Sequence, residues 1–317
     1  MWLQVRLYLL LGLMFGLVYA LIVGVASLLG IGSFIFYAIL AFVLVGIQYL
    51  IGPAIVGWTM RVKYVSEQEA PELHRTVAEL ARAAKIPKPK VGISRVSLPN
   101  AFAFGRTRGD ARVCVTEGLL RLLNKDELRA VLGHEISHIK HRDMALITLL
   151  SVIPTICWYI AWGLMWARGG RSPGYAALIG IGAFLLYFIT NLLVLYASRI
   201  REYYADLGSV HVGNAPHQLA SALYKLVYGN ARMPKEALRQ VEGLKAFFVN
   251  DPSKSWNELK ELRQIDLDMS GAIDSSELLA LRSKSVRIGL ADKMMEVFST
   301  HPNMLRRIKH LSSLMPG

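Results

Sequence analysis

The 317 residues include only two cysteines, Cys114 and Cys157. One lies in a polar segment and the other inside an apolar run, so the chain offers neither a disulfide framework nor a cysteine-type zinc site. Acidic residues are also few, 23 against 36 lysines and arginines, giving a net charge of +13. A basic excess raises the question of nucleic acid, but no basic run is interleaved with stacking aromatics on a soluble domain, which argues against that partner. Charge is missing altogether from three stretches: between Arg6 and Arg61, from Met144 to Ala167, and from Ser172 to Ser198. A small-residue cleavage pattern is lacking as well, so the first stretch reads as retained and not as a removed signal peptide.

The composition is otherwise apolar, with 53% hydrophobic residues and a mean hydropathy of +0.37. Apolar runs flanked by cations fit a membrane protein. At 1.5 Å per residue the first stretch is too long for one crossing and suits two helices folded at Leu29-Gly30-Ile31-Gly32-Ser33, and each of the others suits one. The expected organisation is a transmembrane hairpin at 1–60, a polar segment at 61–143, transmembrane helices three and four at 144–198, and a second polar segment at 199–317. Four crossings put both polar segments on one side. Arg61, Lys63, Lys140, Arg142, Arg199 and Arg201 flank them, whereas the opposite turn carries Arg168 and Arg171, so the expected location is a cell membrane, multi-pass, with the polar segments cytosolic. Trp158, Trp162 and Trp166, four apart, suit a lipid-facing stripe on the third span.

Local patterns furnish the rest of the fold. Pro71–Lys85 has helical periodicity with Leu73, Val77, Leu80 and Ala81 inward and His74 on the polar side. Lys90–Val96, Ala101–Gly105 and Arg112–Thr116 read as strands of a small antiparallel sheet. Within them Asn100, Ala101, Phe102 and Ala103 form either an edge strand able to bind an extended peptide or a plain core strand. Asn124 and Glu127 make a capping box that opens a helix with Leu128, Val131, Leu132 and Ile136 inward. That helix runs almost in line into the third span, where Pro154 should introduce a kink.

The same helix carries Val131–Lys140, V-L-G-H-E-I-S-H-I-K. His134 and His138 leave one face a turn apart and can share a Zn²⁺, while Glu135 can act as general base on the water there. A catalytic zinc needs a third protein ligand. Arg199-Ile-Arg-Glu-Tyr-Tyr-Ala-Asp206 again puts two carboxylates four apart, with Glu202 suited as the third ligand and Asp206 as the acceptor of a ligand imidazole N–H. The competing account is a juxtamembrane helix salt-bridged to Arg199 and Arg201. The expected fold is mainly α with a small antiparallel sheet, four transmembrane helices and a cytosolic zincin-type domain (HExxH, gluzincin-like), holding one zinc per chain.

V-L-G-H-E-I-S-H, followed by R-E-Y-Y-A-D, preceded by N-A-F-A-F-G and ending with S-T-H-P, resembles the HtpX-type membrane metalloproteases, relatives of the CAAX prenyl proteases. The resemblance covers nearly the whole chain. It implies a membrane zinc endopeptidase acting on misfolded or damaged membrane proteins, with His134, His138 and Glu202 as ligands and Glu135 as base. The family pattern also brings His301 and Arg307 near the metal, either to steady substrate or oxyanion or to tie the C-terminal helix to the metal helix. This chain departs from the pattern in having Leu305 and Arg306 where acidic residues are usual. The alternatives are a CAAX-type prenyl-protein protease and a non-proteolytic zinc- or calcium-binding membrane scaffold. Partners would be polypeptide or membrane-protein substrates and the bilayer, and nothing sets the oligomeric state.

One stretch lies outside that pattern. Asp266, Asp268, Ser270, Ala272, Asp274 and Glu277 occupy the ligand positions of a twelve-residue EF-hand calcium loop, with Gly271 at the sharp turn and Ile273 at the aliphatic position. Trp256–Ile265 and Ser275–Ser283 can supply the flanking helices. No second loop pairs with it, and the other account is an acidic helix–turn–helix insertion.

Overall fold

A computed structural model describes residues 34–165, 173–233, 255–262, 264–286 and 289–316. The expected first span and the Arg168–Arg171 turn fall outside these residues. Of the described residues, those up to Ile51 and Ala145–Ser198 form one compact unit, and Gly52–Met144 with Arg199 onward forms another.

The first unit is built on apolar helices: most of α1 (Phe34–Thr59), α5 (Asp143–Met165), and the leading part of α6 (Pro173–His211). Leu150 and Ile153 of α5 pack with Val194 and Ala197 of α6. By length and composition, Ala177–His211 is the one helix among the described residues able to cross a membrane, and Tyr49–Thr59 and Asp143–Trp158 are shorter apolar stretches. Pro154 lies inside α5, whose helix continues through it. Of the tryptophan stripe, only the side chain of Trp158 is described. It is 38% exposed, with its ring 5.2 Å from that of Tyr187.

The second unit has helices around a four-stranded sheet in the order β1-β2-β4-β3, with β1 at Val62–Tyr64, β2 at Lys90–Ser94, β3 at Ala101–Phe104 and β4 at Arg112–Thr116. The sheet is mixed, which corrects the antiparallel expectation: β2 and β4 are parallel neighbours, flanked by antiparallel β1 and β3. Hydrophobic alternation locates strands but carries no pairing order. β3 turns back beside β4 on its far side, leaving β4 free to pair with β2 in parallel. Val113, Cys114 and Val115 are all buried, as suits a strand covered on both faces. β1 had no sequence signal because it is three residues long and two of them are exposed.

Helix α2 (Pro71–Ala84) buries Leu73, Val77, Leu80 and Ala81. His74 is not solvated as its position suggested: its side chain is mostly buried and Nε2 lies 2.9 Å from the Val65 carbonyl. After the short α3 (Glu117–Leu122), α4 (Lys125–His141) opens with the expected capping box, Asn124 accepting from Glu127 N and Glu127 accepting from Asn124 N. Such a cap stabilises a helix by about 0.5–2 kcal/mol. Val131, Leu132 and Ile136 are fully buried. α4 does not run on into α5, because Arg142 between them adopts a left-handed conformation (φ 57°).

The C-terminal part adds α7 (Pro216–Ala231), α8 (Ser255–Leu262), α9 (Ser275–Ser283), α10 (Leu290–Val297) and α11 (Met304–Ser312). Leu219, Leu223, Leu262, Leu278, Met304 and Ile308 join α2, α4 and the sheet in one core. Two glycines set the approach of α4 to the end of α6. A Cβ on Gly208 would stand 2.6 Å from Ser137 Cβ, and one on Gly133 would stand 2.8 Å from Ser209 Oγ. Ser209 Oγ fills that gap by donating to the Ala130 carbonyl at 2.6 Å.

Candidate metal centre

Close packing of α4 on α6 brings the two carboxylates of α6 to the two histidines of α4. His134 and His138, one turn apart, have Nε2 atoms 3.0 Å from each other. Glu202 Oε2 is 3.5 Å from His134 Nε2, and Oε1 is 3.5 Å from His138 Nε2. Ligand atoms of these three residues all lie within 4.8 Å of one another. Around a tetrahedral ion with bonds of about 2.0–2.1 Å, ligand atoms sit about 3.3 Å apart, so the three separations fit one zinc-sized ion.

The outer faces of the imidazoles are occupied. His134 Nδ1 is 2.9 Å from Asp206 Oδ1, and His138 Nδ1 is 2.6 Å from Asp143 Oδ2. A ring whose Nδ1–H donates to a carboxylate keeps a lone pair on Nε2. Two such lone pairs and the buried Glu202 carboxylate therefore converge. Acceptors gathered in this way out of water are unfavourable without a cation between them. The pull is visible on His134: burial opposes its protonation, but hydrogen bonds to Asp206 and Glu202 outweigh that and push it up to about 9.

Arg307, 0% exposed, closes the site from α11. Its Nε and Nη2 donate to Asp206 Oδ2 and Oδ1 at 3.0 and 2.6 Å, and its Nη1 is 3.0 Å from Glu202 Oε2. His301 Nε2 is 4.0 Å from Glu202 Oε1. The cations of the competing salt-bridge account turn elsewhere: Arg199 Nη1 donates to the carbonyls of Glu296, Val297 and Ser299, and Arg201 Nε lies 3.1 Å from Asp143 Oδ1.

Glu135 is buried beside the histidines. Burial raises its pKa, opposed by His138 and His134, and the Ala103 backbone amide bonds to its carboxylate. That amide belongs to β3, an edge of the sheet. Asn100 O accepts from Thr116 N, so the antiparallel alternation turns the backbone groups of Asn100 and Phe102 toward β4 and those of Ala101 and Ala103 toward the open edge. All four β3 side chains are nonetheless buried, Phe102 and Phe104 against Val56 and Met60, and Ala101 and Ala103 in the main core. The strand is therefore both an edge in its backbone and core in its side chains.

Asp143 belongs to the group although no motif in the sequence singles it out. Its signal is an acid five residues after the second histidine, which a single helix would turn to a different face. The left-handed Arg142 brings it back to His138. The six residues of the candidate calcium loop lie away from this group in sequence, and three of them, Asp266, Asp268 and Glu277, form a second cluster of possible metal-ligating carboxylates.

The family model for peptidase family M48 matches residues 67–315. A "Protease HtpX homolog" of Methanothermobacter thermautotrophicus is 59% identical over 225 residues, covering 71% of this chain and 86% of that protein. A second, from Moorella thermoacetica, is 37% identical over 291 residues, covering 89% and 84%. Among solved structures, the crystal structure of S. mikatae Ste24p has a similar fold, with a TM-score of 0.51 at 16% identity over 98% of this chain and 66% of that chain. A match spanning both polar segments, together with relatives this similar over most of their length, shows that the chain belongs to peptidase family M48 and is a metalloprotease of the HtpX type.

Proposed function

We propose that the chain is an integral-membrane zinc endopeptidase that hydrolyses peptide bonds in misfolded or damaged membrane proteins from the cytosolic side. The observation that carries this reading is the convergence of His134 Nε2, His138 Nε2 and Glu202, with each imidazole backed by its own carboxylate. These three residues would hold one zinc, which when bound supplies a Lewis acid that polarises the scissile carbonyl and makes water acidic enough to attack. Glu135 accepts the proton released by the attacking water and returns it to the leaving amine. The outward backbone groups of Ala101 and the carbonyl of Ala103, with Asn100 and Phe102 holding the strand in register and the Ala103 amide bonded to Glu135, would bind an extended substrate by strand addition. Asp206 and Asp143 orient the ligand imidazoles, Arg307 positions Asp206 and Glu202, and His301, with Nε2 4.0 Å from Glu202 Oε1, would donate toward substrate.

Residence in a membrane is supported by the apolar face of α6, where Leu178, Ile181, Phe184, Leu185, Phe188 and Ile189 are all exposed. Four spans with both polar segments cytosolic agree with the flanking lysines and arginines. Asp143→Ala is expected to weaken zinc binding about 10–100-fold, because His138 loses the group that fixes its tautomer and orientation. Competition against a metallochromic chelator would read this directly, and wild-type affinity in the variant would remove Asp143 from the site.

Substrate class is tested by offering the purified detergent-solubilised chain an unfolded membrane protein and, separately, a prenylated peptide ending in a CAAX sequence. The expected result is internal cleavage of the first, abolished by a chelator and restored by zinc. Cleavage confined to the CAAX peptide would make the chain a prenyl-protein protease, and cleavage indifferent to chelation would end the zinc reading.

A further inference from the structure

We propose that Asp266–Glu277 is a second metal site, independent of the zinc group, and that its ion is calcium. The loop has oxygen donors at its first, third, fifth, ninth and twelfth places (Asp266, Asp268, Ser270, Asp274, Glu277), with the Ala272 carbonyl at the seventh. Its backbone bends as such a loop must: Gly271, at the sixth place, has φ +78°. Ile273 is 2% exposed and anchors the loop in the core, while Asp274 caps α9, whose bounds match the expected exit helix. The entering helix α8 stops earlier than expected, at Leu262.

Two observations point to a ligand. Oxygens of Asp266, Asp268 and Glu277 lie within 4.8 Å of one another, an assembly of negative charge that a cation would relieve. Independently, Asp266 is only 7% exposed, and its two oxygens are treated unequally. Oδ2 accepts from Tyr224 Oη at 2.7 Å and from Gly271 N at 3.2 Å, whereas buried Oδ1 accepts no hydrogen bond. A carboxylate oxygen removed from water without a donor is costly, and a cation at the cluster would satisfy it. The donors are all oxygens, with no imidazole or thiolate among them, which selects a hard cation. A loop that includes a backbone carbonyl and four carboxylates suits calcium, with its many ligands and loose geometry, better than magnesium, which demands a near-ideal octahedron.

The site also has a route to the rest of the unit. Both flanking helices hold α11, which carries Arg307. From α8, Glu258 accepts from Met304 N at 3.3 Å and Glu261 from Asn303 Nδ2 at 2.7 Å. From the end of α9, the carbonyls of Leu281 and Arg282 accept from Lys309 Nζ at 2.6 and 3.0 Å. An ion that draws the two ends of the loop together therefore firms the seat of α11.

The test is calorimetric titration of calcium into the full-length, zinc-loaded chain in detergent at physiological ionic strength. One calcium per chain is expected, with a Kd of about 10⁻⁴–10⁻³ M, the weakest class of such loops, and with a rise in melting temperature on binding. Asp268→Ala, at an exposed residue, and the isosteric Glu277→Gln should each weaken binding at least tenfold and abolish that rise while zinc content stays at wild-type level. If Glu277→Gln does not fold, Asp268→Ala alone decides. No saturable uptake by the wild type up to about 10 mM, beyond the weakest class of such sites, would overturn the proposal. So would uptake undiminished in Asp268→Ala, or binding of magnesium as tight as that of calcium.

Discussion

Replacing Glu135 by glutamine is expected to lower kcat for peptide hydrolysis by about 10²–10⁴-fold, the usual worth of a positioned general base, while zinc content and substrate KM hardly change. The substitution keeps the shape of a side chain that is 3% exposed and leaves the Ala103 amide an oxygen to bond. It removes only the capacity to accept a proton. Glutamine cannot take that proton at any working pH, so the loss should persist across the pH profile. Single-turnover kinetics on an unfolded membrane protein, with zinc measured on the same samples, would check this. Activity within tenfold of wild type would assign the proton to another group. Intact zinc binding with no cleavage by either protein, on any polypeptide offered, would favour a metal-binding scaffold.

Arg307→Met should destabilise the polar unit by about 3–5 kcal/mol, the cost of breaking a buried charge pair from one side. Arg307 is wholly buried and meets two carboxylates, so truncation strands Asp206 and removes one neighbour of Glu202. Asp206 in turn holds His134 Nδ1, and the variant should therefore bind zinc more weakly as well. Arg307→Lys keeps the charge but cannot span both oxygens of Asp206, so it should fall between the two. Thermal unfolding with parallel zinc analysis reads both effects. A variant with wild-type stability and zinc affinity but a depressed kcat would instead put Arg307 on the reacting carbonyl.

Relations confined to one helix were legible in the chain itself. His134 and His138 on α4, and Glu202 and Asp206 on α6, are four-residue spacings, and helical geometry alone gives each pair a common face, with Glu135 directly following His134 in the chain. The capping box at Asn124 is equally local, as is the turn that Gly271 allows. Bilayer-length apolar runs could be read the same way, since composition over a stretch needs no partner. The β-branched run of β4 located a strand, but its three consecutive buried residues, Val113, Cys114 and Val115, carried no message about which neighbours would cover them.

Tertiary structure decided what depended on packing between elements. Sheet order was one such matter, because pairing is chosen by connections and by the faces that helices cover, not by the strand's own pattern. Asp143 reached His138 only through the left-handed turn at Arg142, a conformation that side-chain periodicity does not report. Arg307 lies 101 residues beyond Asp206, and no spacing along the chain links the two, so that only the family resemblance put it near the metal. The fold buries Arg307 and leaves Arg306 outside, because the α11 face bearing Met304, Ile308 and Leu311 packs into the core and carries Arg307 inward with it. The amino-acid sequence by itself thus determined the metal-binding types and their spacing along each helix. Which buried charges stand opposite them was settled only when the helices closed on one another, because a buried ion must find its partner wherever the packing brings one.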